Sequence, residues 1–600
     1  MPTLEFKGKS FVYTHHLSVP FRELVIDAKK SLPARGQKPS LEDNLIIHGD
    51  SIHALKALLP VYAGKVDCVF IDPPYNTGNE GWCYKDDVRS PLMREWVKKA
   101  APVDKEDLER HDKWLCMFYP RVRLLYELLS ETGALWMTLD DNEVHRARGV
   151  LDEVFGEECC VGQLAWQKRT SRENRTTLSP SFDHILLYSK CLPDTWKLFR
   201  NLLDAEGETT SNPDNDSRGP WKSIPFSAQG YRKAQDYKIV TPTGKVLEPP
   251  KGRCWGATEP EFKKLLADKR IYWPKEGDGR PRVKSWDTNG LVPETLWMAS
   301  EVGDTEASKK ELMEIFSDRE ALDFHAPKPP ALVQRAIGIS TKADSVVLDS
   351  FAGTGTTAHA VMLANKKDGG RRKFILVEME DYADSLTAER VRRVSKGYSF
   401  KGKKTEELFR ESLTYRRLEN SDKLLDHIHS IENLEGHRFD SIEKKVAAGV
   451  LIVSGEKLVT EKVDGLNGTF TFATLGPEMT LDKLLAGGLP TFEALAKYVF
   501  FTATGRTLSE LPKAKAAAAG FIGETDLYRV HLFYKPEKKW LQSNDAALAE
   551  KLVDEMLATN TDKKKLLVFA AAKFMSQREL SQRGVDFCQL PYAIHRILGD

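Results

Sequence analysis

One tetrapeptide, Asp72-Pro73-Pro74-Tyr75, has the residue types that can hold a planar amino group. It directly follows the apolar segment 66 to 71 (VDCVFI), which predicts a buried strand. Two consecutive prolines hold φ at about −65° and remove two backbone N–H donors. The Asp72 carboxylate and the adjacent carbonyls therefore form a rigid set of acceptors. A simple turn with a packed tyrosine fits the same pattern, and the motif alone leaves that alternative open.

One amine that such a site could hold is the exocyclic amino group of adenine. Its lone pair is delocalised into the ring, which makes it a poor nucleophile. If Asp72 and the Pro73 carbonyl accept the two amino hydrogens, the nitrogen can move towards tetrahedral geometry and attack a sulfonium methyl group in line. Tyr75 would stack on the base once the base has left the duplex.

A second group of residues fits a cofactor that contains adenosine. The segment 351 to 357 (FAGTGTT) follows a predicted strand and opens a predicted helix, and its glycines allow the backbone to approach a ligand closely. Glu378, at the end of the next strand, could accept two ribose hydroxyls or could be a solvated strand end. Asp50 could contact the adenine of the cofactor or merely cap the following helix.

The elements that must position these residues alternate between strand and helix. Residues 44 to 50 and 66 to 72 predict strands with a helix between them. A further helix is expected to stop at Gly133, before a strand over 134 to 140 and a helix from 142 to 155. This alternation resumes after residue 345 and predicts an α/β fold, in which parallel strands bring the motifs to one edge of the sheet.

Two regions depart from the alternation. Residues 160 to 320 are rich in Pro, Gly, Ser, Asn and basic residues and contain scattered tryptophans, which indicates an inserted, irregular domain. A charged helix is expected over 405 to 430, and LLVFAAAKF at 566 to 574 predicts a strand in the last region.

Composition bounds the class of protein. The chain has 600 residues, of which 41% are hydrophobic and 29% charged, so several folded domains are expected. The 88 basic and 87 acidic residues nearly cancel, and net charge therefore neither favours nor excludes nucleic acid. The eight cysteines form no CxxC pair, and we expect no metal site. We find no signal-like N-terminus and no apolar run of about eighteen residues, and we expect a cytoplasmic protein without membrane contact.

Four segments resemble the amino-methyltransferases of the β order, in which the catalytic motif precedes the cofactor motif. These segments are IDPPYNTG at 71 to 78, FHAPKPPALVQRAI at 324 to 337, LDSFAGTGTTAHA at 348 to 360 and VEMEDY at 377 to 382. The modification subunits of type III restriction-modification systems are the most similar. Ser350 replaces a common proline, and His325-Ala326 stands where a threonine commonly precedes Pro-Lys-Pro, but neither departure removes an atom that the chemistry needs.

The resemblance implies an enzyme that flips adenine out of duplex DNA and methylates its 6-amino group, with S-adenosylmethionine as the methyl donor. Together with the strand-end argument, it predicts that the cofactor is bound by Asp50, Phe324, Lys328, Pro329, Asp349, Phe351, Gly353, Gly355, Thr356 and Glu378. The target amine would be held by Asp72, Pro73, Pro74 and Tyr75. Asp140-Asp141 and residues 184 to 190 also resemble family segments, although both can be structural.

The implied fold is a Rossmann-like S-adenosylmethionine-dependent methyltransferase sheet with an inserted target-recognition domain and a C-terminal α/β domain. The predicted boundaries are an N-terminal extension (1–40), a catalytic half (41–160), a target-recognition insertion (161–320), a cofactor-binding half (321–400), a helical linker (401–435) and a C-terminal domain (436–600). The implied partners are double-stranded DNA, a second copy of the chain and a helicase-nuclease restriction subunit.

Three alternatives remain open. Methylation of the 4-amino group of cytosine uses the same lone-pair logic, although Asp72 favours adenine because cytosine enzymes of this kind usually have serine there. The chain could instead be a catalytically silent subunit that only reads DNA sequence, or it could methylate an amine of RNA or protein. Methylation of ring carbon 5 is remote, since the pair Cys588-Gln589 lies outside the predicted catalytic region.

A basic stretch at 166 to 175 (WQKRTSRENR) is a candidate for DNA contact. Its predicted contact residues are Trp166, Lys168, Arg169, Arg172 and Arg175. A loop with several cations suits phosphate oxygens, but ordinary solvated charges fit the pattern almost as well.

Overall fold

The computed structural model describes most of the chain. The described residues are 3–77, 109–174, 176–204, 211–286, 290–319, 324, 326–415, 417, 420–447, 449–478, 489–508, 510–512, 520–541 and 543–590. The chain divides into two compact units, one formed by Met1–Arg200 with Glu294–Asp600 and the other by Asn201–Pro293. The predicted DNA contact Arg175, together with Gly78 and His325 of the family segments, lies outside the described residues.

The described residues before the second unit alternate between strand and helix. The strands are β1 (Arg22–Leu32), β2 (Leu45–His48), β3 (Val66–Ile71), β4 (Leu129–Leu139), β5 (Cys160–Gln167) and β6 (Phe182–Ser189). The helices are α1 (Lys9–Val12), α2 (His15–Ser18), α3 (Ser51–Tyr62), α4 (Arg110–Leu128), α5 (Val144–Phe155) and α6 (Pro193–Phe199). Both β2 and β3 are buried at nearly every position, which is typical of parallel strands covered on both faces.

The unit Asn201–Pro293 has short strands and a core of its own. Its described strands are β7 (Lys222–Pro225), β8 (Ser227–Gln229), β9 (Ile239–Val240), β10 (Val246–Leu247), β11 (Arg253–Trp255), β12 (Ile271–Tyr272) and β13 (Arg282–Ser285), and its helix is α7 (Glu259–Ala267). Thr258 and Glu261 form a capping box at the start of α7. The core consists of Phe226, Ile239, Trp255, Phe262 and Ile271.

The chain after Pro293 returns to the first unit. Its strands are β14 (Leu296–Trp297), β15 (Val346–Asp349), β16 (Lys373–Glu378), β17 (Gly397–Ser412), β18 (Ser441–Ala447), β19 (Val450–Asp464), β20 (Phe470–Glu478), β21 (Phe521–Glu524), β22 (Tyr528–Phe533), β23 (Ala547–Leu548), β24 (Lys565–Ala570), β25 (Ala572–Lys573) and β26 (Val585–Gln589).

The helices of this last part include one π-helical turn (Ala383–Ala388), which continues into α12. The α-helices are α8 (Ala299–Val302), α9 (Thr305–Ile315), α10 (Pro330–Ser340), α11 (Thr356–Asp368), α12 (Glu389–Lys396), α13 (Ser421–Glu435), α14 (Phe492–Thr504), α15 (Lys538–Leu541), α16 (Glu550–Ala558) and α17 (Gln577–Gln582). Within the described ranges, no helix is long and apolar enough to cross a membrane.

A ten-stranded mixed sheet organises the first unit. Its strand order is β1-β20-β2-β16-β15-β3-β4-β6-β5-β14. The consecutive neighbours β2, β16, β15, β3 and β4 are parallel, so their carboxyl ends lie at one edge of the sheet. The predicted α/β class with a methyltransferase-like sheet is therefore confirmed, and this edge is where a ligand is expected.

The inserted unit is narrower than the insertion predicted over 161 to 320. β5 and β6 pair with each other, β6 pairs with β4, and β14 pairs with β5, so these strands extend the main sheet instead of forming a separate domain. Sequence composition marks loops and tryptophans, but it does not record which short strands pair with a distant sheet. The compact unit is Asn201–Pro293.

Three further elements differ from expectation. Within the predicted N-terminal extension, β1 pairs with β20 at the edge of the main sheet, and both belong to the first unit. The first part of the helix expected over 405 to 430 is instead strand, because β17 runs to Ser412 and pairs along β19. Gly133 does not stop a helix: α4 ends at Leu128, and Gly133 lies in β4, where a Cβ would come within 2.8 Å of the Val66 carbonyl oxygen.

The C-terminal part contains the expected α/β elements. A four-stranded sheet has the order β21-β22-β24-β26, and its last three strands are parallel. The predicted strand in LLVFAAAKF is present as β24 and β25. The core beside it includes Leu548, Val553, Leu566 and Leu580.

Candidate active site

A cavity of about 410 Å³ lies at the carboxyl edge of β3, β15 and β16. The predicted residues that line it are Asp72, Pro73, Pro74, Tyr75, Phe324, Lys328, Asp349, Phe351, Gly353, Thr356 and Glu378. These residues come from four separate stretches of sequence, and parallel pairing of β3, β15 and β16 brings three of them together. Three other predicted residues, Asp50, Pro329 and Gly355, are not part of the lining.

Asp72 receives side-chain donors on both carboxylate oxygens. The Thr138 hydroxyl donates to Oδ1, and the Lys328 ammonium forms an ion pair with Oδ2. The Asp72 side chain is about one-quarter exposed, whereas Lys328 is buried. The carboxylate is therefore accessible from the cavity and is held by groups that can exchange for other donors.

The loop after Asp72 is fixed by the helix packed behind it. The Trp114 indole N–H donates to the Pro74 carbonyl oxygen at 2.6 Å, and Trp114 is fully buried against Phe118. Asn76 adopts a left-handed φ of 60° and donates from Nδ2 to the buried Glu143 carboxylate. Such a backbone conformation is uncommon outside glycine and is tolerated best by Asn and Asp. These contacts hold the Pro-Pro segment in one geometry.

Tyr75 presents its ring to the Lys328 ammonium. Nζ of Lys328 lies 5.0 Å from the ring centroid, within the range of a cation–π contact. The Tyr75 hydroxyl lies 3.5 Å from Oδ2 of Asp183, a long contact, and burial raises the pKa of Tyr75 well above its usual value. Asp183 lies in β6 and also pairs with Lys168 at 2.6 Å.

The glycine loop requires its glycines for two different reasons. Gly353 has a φ of 51°, and a Cβ there would lie 3.1 Å from Cζ of Phe324. Gly355 has a φ of 79° and precedes α11, and its Cβ would lie 3.0 Å from the Thr387 carbonyl oxygen. Gly353 thus faces the cavity, while Gly355 lets the loop pack against the segment behind it.

A buried arginine supports the loop from beneath. Arg390 donates from Nη1 to the hydroxyls of Thr354 and Thr356, each at 2.7 Å. It is fully buried and lies 4.0 Å from Glu311. The sequence did not suggest this residue, since an Arg in a charged helix is ordinarily exposed.

Glu378 accepts three backbone N–H groups. Oε2 accepts from Gly353 at 2.7 Å, and Oε1 accepts from Met379 and Glu380 at 2.9 Å each. Burial raises the pKa of Glu378 to about 7, although these hydrogen bonds act in the opposite direction. The carboxyl group is therefore fixed in place and close to its titration point at neutral pH.

Asp349 is similarly placed at the end of β15. Its carboxylate accepts from the Phe351 N–H at 3.0 Å and from the Thr357 hydroxyl at 2.6 Å. Burial again dominates and raises the pKa of Asp349 to about 7. Asp349 thus links Phe351 and Thr357, the two ends of the glycine loop.

Asp50 has the structural role that the sequence left as an alternative. Its carboxylate caps α3 by accepting from the Ile52 N–H, and it pairs with Arg121 at 2.7 Å. Ser51 and Arg121, in contrast, line the cavity. Pro329 lies at the N-cap of α10 and fixes the start of that helix.

Comparison with known proteins identifies the family. A family model described as DNA methylase matches residues 66–389, which is more than half of the chain. The chain belongs to the DNA methylase family. The resemblance to amino-methyltransferases is thereby confirmed, together with S-adenosylmethionine as the cofactor that it implies.

Relatives in this family include modification subunits. The chain is 30% identical over 425 residues to the type III restriction-modification enzyme StyLTI Mod subunit of Salmonella typhimurium, which covers 65% of this chain and 62% of that protein. It is 28% identical over 463 residues to the EcoPI Mod subunit of Escherichia phage P1, covering 69% of each. The chain thus spans less than two thirds of the StyLTI subunit.

A solved structure, that of the PvuII DNA methyltransferase (cytosine-N4-specific), shows a weaker similarity. It is 12% identical, and the match covers 59% of this chain and 89% of that chain with a TM-score of 0.32.

The cavity of this DNA methylase fits S-adenosylmethionine. Its volume of about 410 Å³ lies within the range of roughly 300 to 1,000 Å³ that is usual for small-ligand sites. Gly353 lies beside the Phe324 ring, and a side chain at this position would occupy the space between the loop and the ring. Asp349 and Glu378 add acidic groups that complement a cationic sulfonium.

Two side chains of the stretch proposed for DNA contact, Trp166 and Lys168, bind other residues of the protein. Trp166 is fully buried in β5, and its indole N–H donates to the Gly303 carbonyl oxygen, so the prediction of a DNA contact there is wrong. Lys168 is partly exposed and forms an ion pair with the buried Asp183, so its contact with DNA stays a prediction. Arg169 is partly exposed beside Glu173, and Arg172 is exposed, so both remain predicted contacts.

Sequence reasoning missed several residues that shape the site. Thr138, Trp114 and Asp183 all contact the catalytic tetrapeptide, and none of them belongs to a motif. Asp183 offered one signal, since it is a carboxylate in a segment, FDHILLYS, that otherwise predicts a buried strand. For Lys328, the resemblance implied a cofactor contact, but the structure pairs its ammonium with Asp72.

Proposed function

We propose that this chain transfers a methyl group from S-adenosylmethionine to the 6-amino group of adenine in duplex DNA. The observation that carries the proposal is the position of Asp72, which opens onto the same cavity as the glycine loop and Glu378. The names of its relatives, which are modification subunits of restriction-modification enzymes, support DNA as the substrate.

The bound cofactor would supply an electrophilic methyl group on a sulfonium. Gly353 and Phe324 would hold it against the loop, and Glu378 would accept hydrogen bonds from ribose hydroxyls. The three backbone donors keep the Glu378 carboxylate in place before binding, so no reorganisation is required there.

Asp72 and the Pro73 carbonyl would accept the two hydrogens of the target amine. The Trp114 indole N–H donates to the Pro74 carbonyl and thereby restrains the loop. The neighbouring Pro73 carbonyl is therefore held beside Asp72. The nitrogen would thereby be held close to the methyl group, and positioning of this kind supplies much of the rate enhancement. Tyr75 would stack on the flipped base.

The unit Asn201–Pro293 is our candidate for target recognition, together with the exposed Arg169 and Arg172 of the first unit. Exchange of this unit for that of a related enzyme is expected to change the methylated sequence without ending methyl transfer. Unchanged specificity would remove the unit from target recognition.

The assembly and the cellular setting are also proposed from the relatives. Because relatives of this chain are named as Mod subunits of type III restriction-modification enzymes, we propose a helicase-nuclease restriction subunit as partner. We also propose homodimerisation and action in the cytoplasm. Mass measurement of the purified chain, alone and with the product of a neighbouring reading frame that contains helicase motifs, tests both associations.

Transfer of tritiated methyl groups tests the reaction itself. Duplex DNA, transfer RNA and a protein extract compete for one pool of labelled S-adenosylmethionine, with Asp72→Ala as the control. Label in duplex DNA that is lost in the variant is the expected result. Preference for RNA or protein, or transfer that survives the substitution, would contradict the proposal.

A further inference from the structure

The Lys328 ammonium occupies an unusual position in the cavity. It pairs with Oδ2 of Asp72 and lies 5.0 Å from the Tyr75 ring centroid. Only a tenth of the Lys328 side chain is exposed. One cation is therefore held between a carboxylate and an aromatic face, largely shielded from solvent.

This position is the one that the target amine itself requires. A base that stacks on Tyr75 and donates from its amino group to Asp72 places that nitrogen between the same carboxylate and the same ring. An ammonium and an amino group are both N–H donors, so they compete for one acceptor. A carboxylate oxygen can accept more than one donor, but the ammonium lies over the Tyr75 ring as well as on Oδ2, so the target amine cannot take this position while Lys328 remains there.

The backbone of Lys328 is fixed, whereas its side chain can move. Its carbonyl oxygen accepts from the Thr356 hydroxyl at 3.2 Å, and Pro329 and Pro330 begin the following helix. Four rotatable side-chain bonds nevertheless allow the ammonium to reach another partner without displacing the backbone.

Asp183 is the second acceptor within this group of charges. It is almost fully buried, accepts from Lys168 at 2.6 Å and lies 3.5 Å from the Tyr75 hydroxyl. Burial raises the pKa of Asp183, while the charges of Lys168 and Lys328 both lower it. The Lys328 ammonium is thus close enough for its charge to act on this second carboxylate.

We propose that Lys328 is a positioning residue that occupies Asp72 until the target amine displaces it, and that its ammonium then turns towards Asp183. The inference rests on the proposed function, since it needs a flipped base. It assigns Lys328 a role towards the target amine in place of the cofactor contact that the resemblance implies. It also gives Asp183 a role in admitting the base.

Base extrusion measures this exchange independently of methyl transfer. The probe is a duplex that carries the sequence the protein methylates, with 2-aminopurine beside the target adenine, so that the target keeps its own amino group. Fluorescence of the probe rises when the adjacent base leaves the stack. Lys328→Met is expected to tighten formation of the extruded complex by roughly tenfold, the scale of coupling within one network of charges. Lys328→Arg, which keeps a cation beside Asp72, is the matched control and should show no gain.

A double-mutant cycle tests the role of Asp183. Asp183→Asn should weaken extrusion in the unmodified protein, because Lys328 loses the partner that receives it. In the Lys328→Met background the same substitution should have little effect, since no ammonium remains to be moved. A merely structural role of Asp183 predicts the same loss in both backgrounds, and that result would overturn the proposal. If Asp183→Asn does not fold, Lys328→Met alone decides, because an unchanged extrusion signal contradicts the exchange.

Calorimetry with S-adenosylmethionine completes the test. Lys328→Met should leave cofactor affinity within about twofold of the unmodified protein, since the Lys328 ammonium contacts Asp72 and the Tyr75 ring, while Glu378 and the glycine loop are intact. Weakened cofactor binding with unchanged extrusion would assign Lys328 to the cofactor and overturn the proposal. Failure of the unmodified protein to methylate or extrude any DNA base would instead contradict the proposed function, so the two failures are distinguishable.

Discussion

Two carboxylates at the same edge of the sheet accept hydrogen bonds from different kinds of donor. Glu378, after β16, accepts three backbone N–H groups, whereas Asp72, after β3, accepts from a threonine hydroxyl and a lysine ammonium. Backbone donors cannot leave without unfolding the loop, but side-chain donors can rotate away. The comparison indicates that the cofactor side of the cavity is set before binding, while the catalytic side must exchange its donors during the reaction.

Substitution of Asp72 should have the largest effect on methyl transfer. Asp72→Ala removes one of the two acceptors of the target amine, and we expect the rate to fall by about 100- to 1000-fold or more, the range for loss of one preorganised polar group. Cofactor affinity should remain nearly unchanged, because Glu378 and the glycine loop are intact. Single-turnover transfer and calorimetry measure the two effects separately. An equal loss of cofactor affinity would show that the two sides have been assigned wrongly.

Substitution of Gly353 should weaken cofactor binding. Gly353→Val places a branched side chain at a φ of 51° and against the Phe324 ring, so the loop must distort. We expect cofactor affinity to fall by about 10- to 100-fold, since such strain costs of order 1 to 3 kcal/mol. Gly369→Val is a control, because Gly369 also has a positive φ but faces open space outside the lining. Similar losses in both variants would point to a general effect on folding.

The ring of Tyr75 should matter more than its hydroxyl. Tyr75→Ala is expected to lower transfer by about 10- to 100-fold, because a base–aromatic stack is worth about 1 to 3 kcal/mol. Tyr75→Phe and Tyr75→Trp keep an aromatic face and should retain much of the activity, since the contact from the hydroxyl to Asp183 is long at 3.5 Å. If Tyr75→Phe were as inactive as Tyr75→Ala, the hydroxyl contact would be essential and the stacking role would fail.

The raised pKa values predict a smaller effect of pH on the cofactor side. Burial raises the pKa of Glu378 and that of Asp349 to about 7. Ribose hydroxyls and a nearby sulfonium favour the ionised carboxylates, so binding should lower these pKa values and release protons at pH 7. Affinity should therefore rise as pH increases from about 6 to 8, by at most about tenfold per carboxylate.

Calorimetry in two buffers of different ionisation enthalpy counts the protons released. Glu378→Gln should reduce the number while leaving the contribution of Asp349. Proton uptake, or no dependence on buffer, would contradict the electrostatic account of this side.

The parts of the site that follow local patterns could be predicted from sequence. Asp72 and Glu378 each come directly after an apolar strand, and the parallel order of such strands places their ends at one edge. The glycine loop has the same local signature. Strand, loop and helix are encoded within about ten residues there, so tertiary structure adds little to the interpretation.

Contacts between distant segments could not be predicted in this way. β1 pairs with β20, more than 400 residues away along the chain, and neither strand carries a motif. Lys168 and Trp166 looked like surface groups because of their composition, yet a buried carboxylate and a backbone carbonyl engage them. Pairing partners of this kind depend on the folded sheet, which a single sequence does not display.

Identification of the modified base tests the central claim most directly. The protein is produced in a host that lacks DNA methyltransferases, and the host DNA is digested to nucleosides for mass spectrometry and sequenced with a method that detects modified bases. The account predicts N6-methyladenine at one sequence, lost in Asp72→Ala. N4-methylcytosine, or modified bases that persist in the variant, would contradict it.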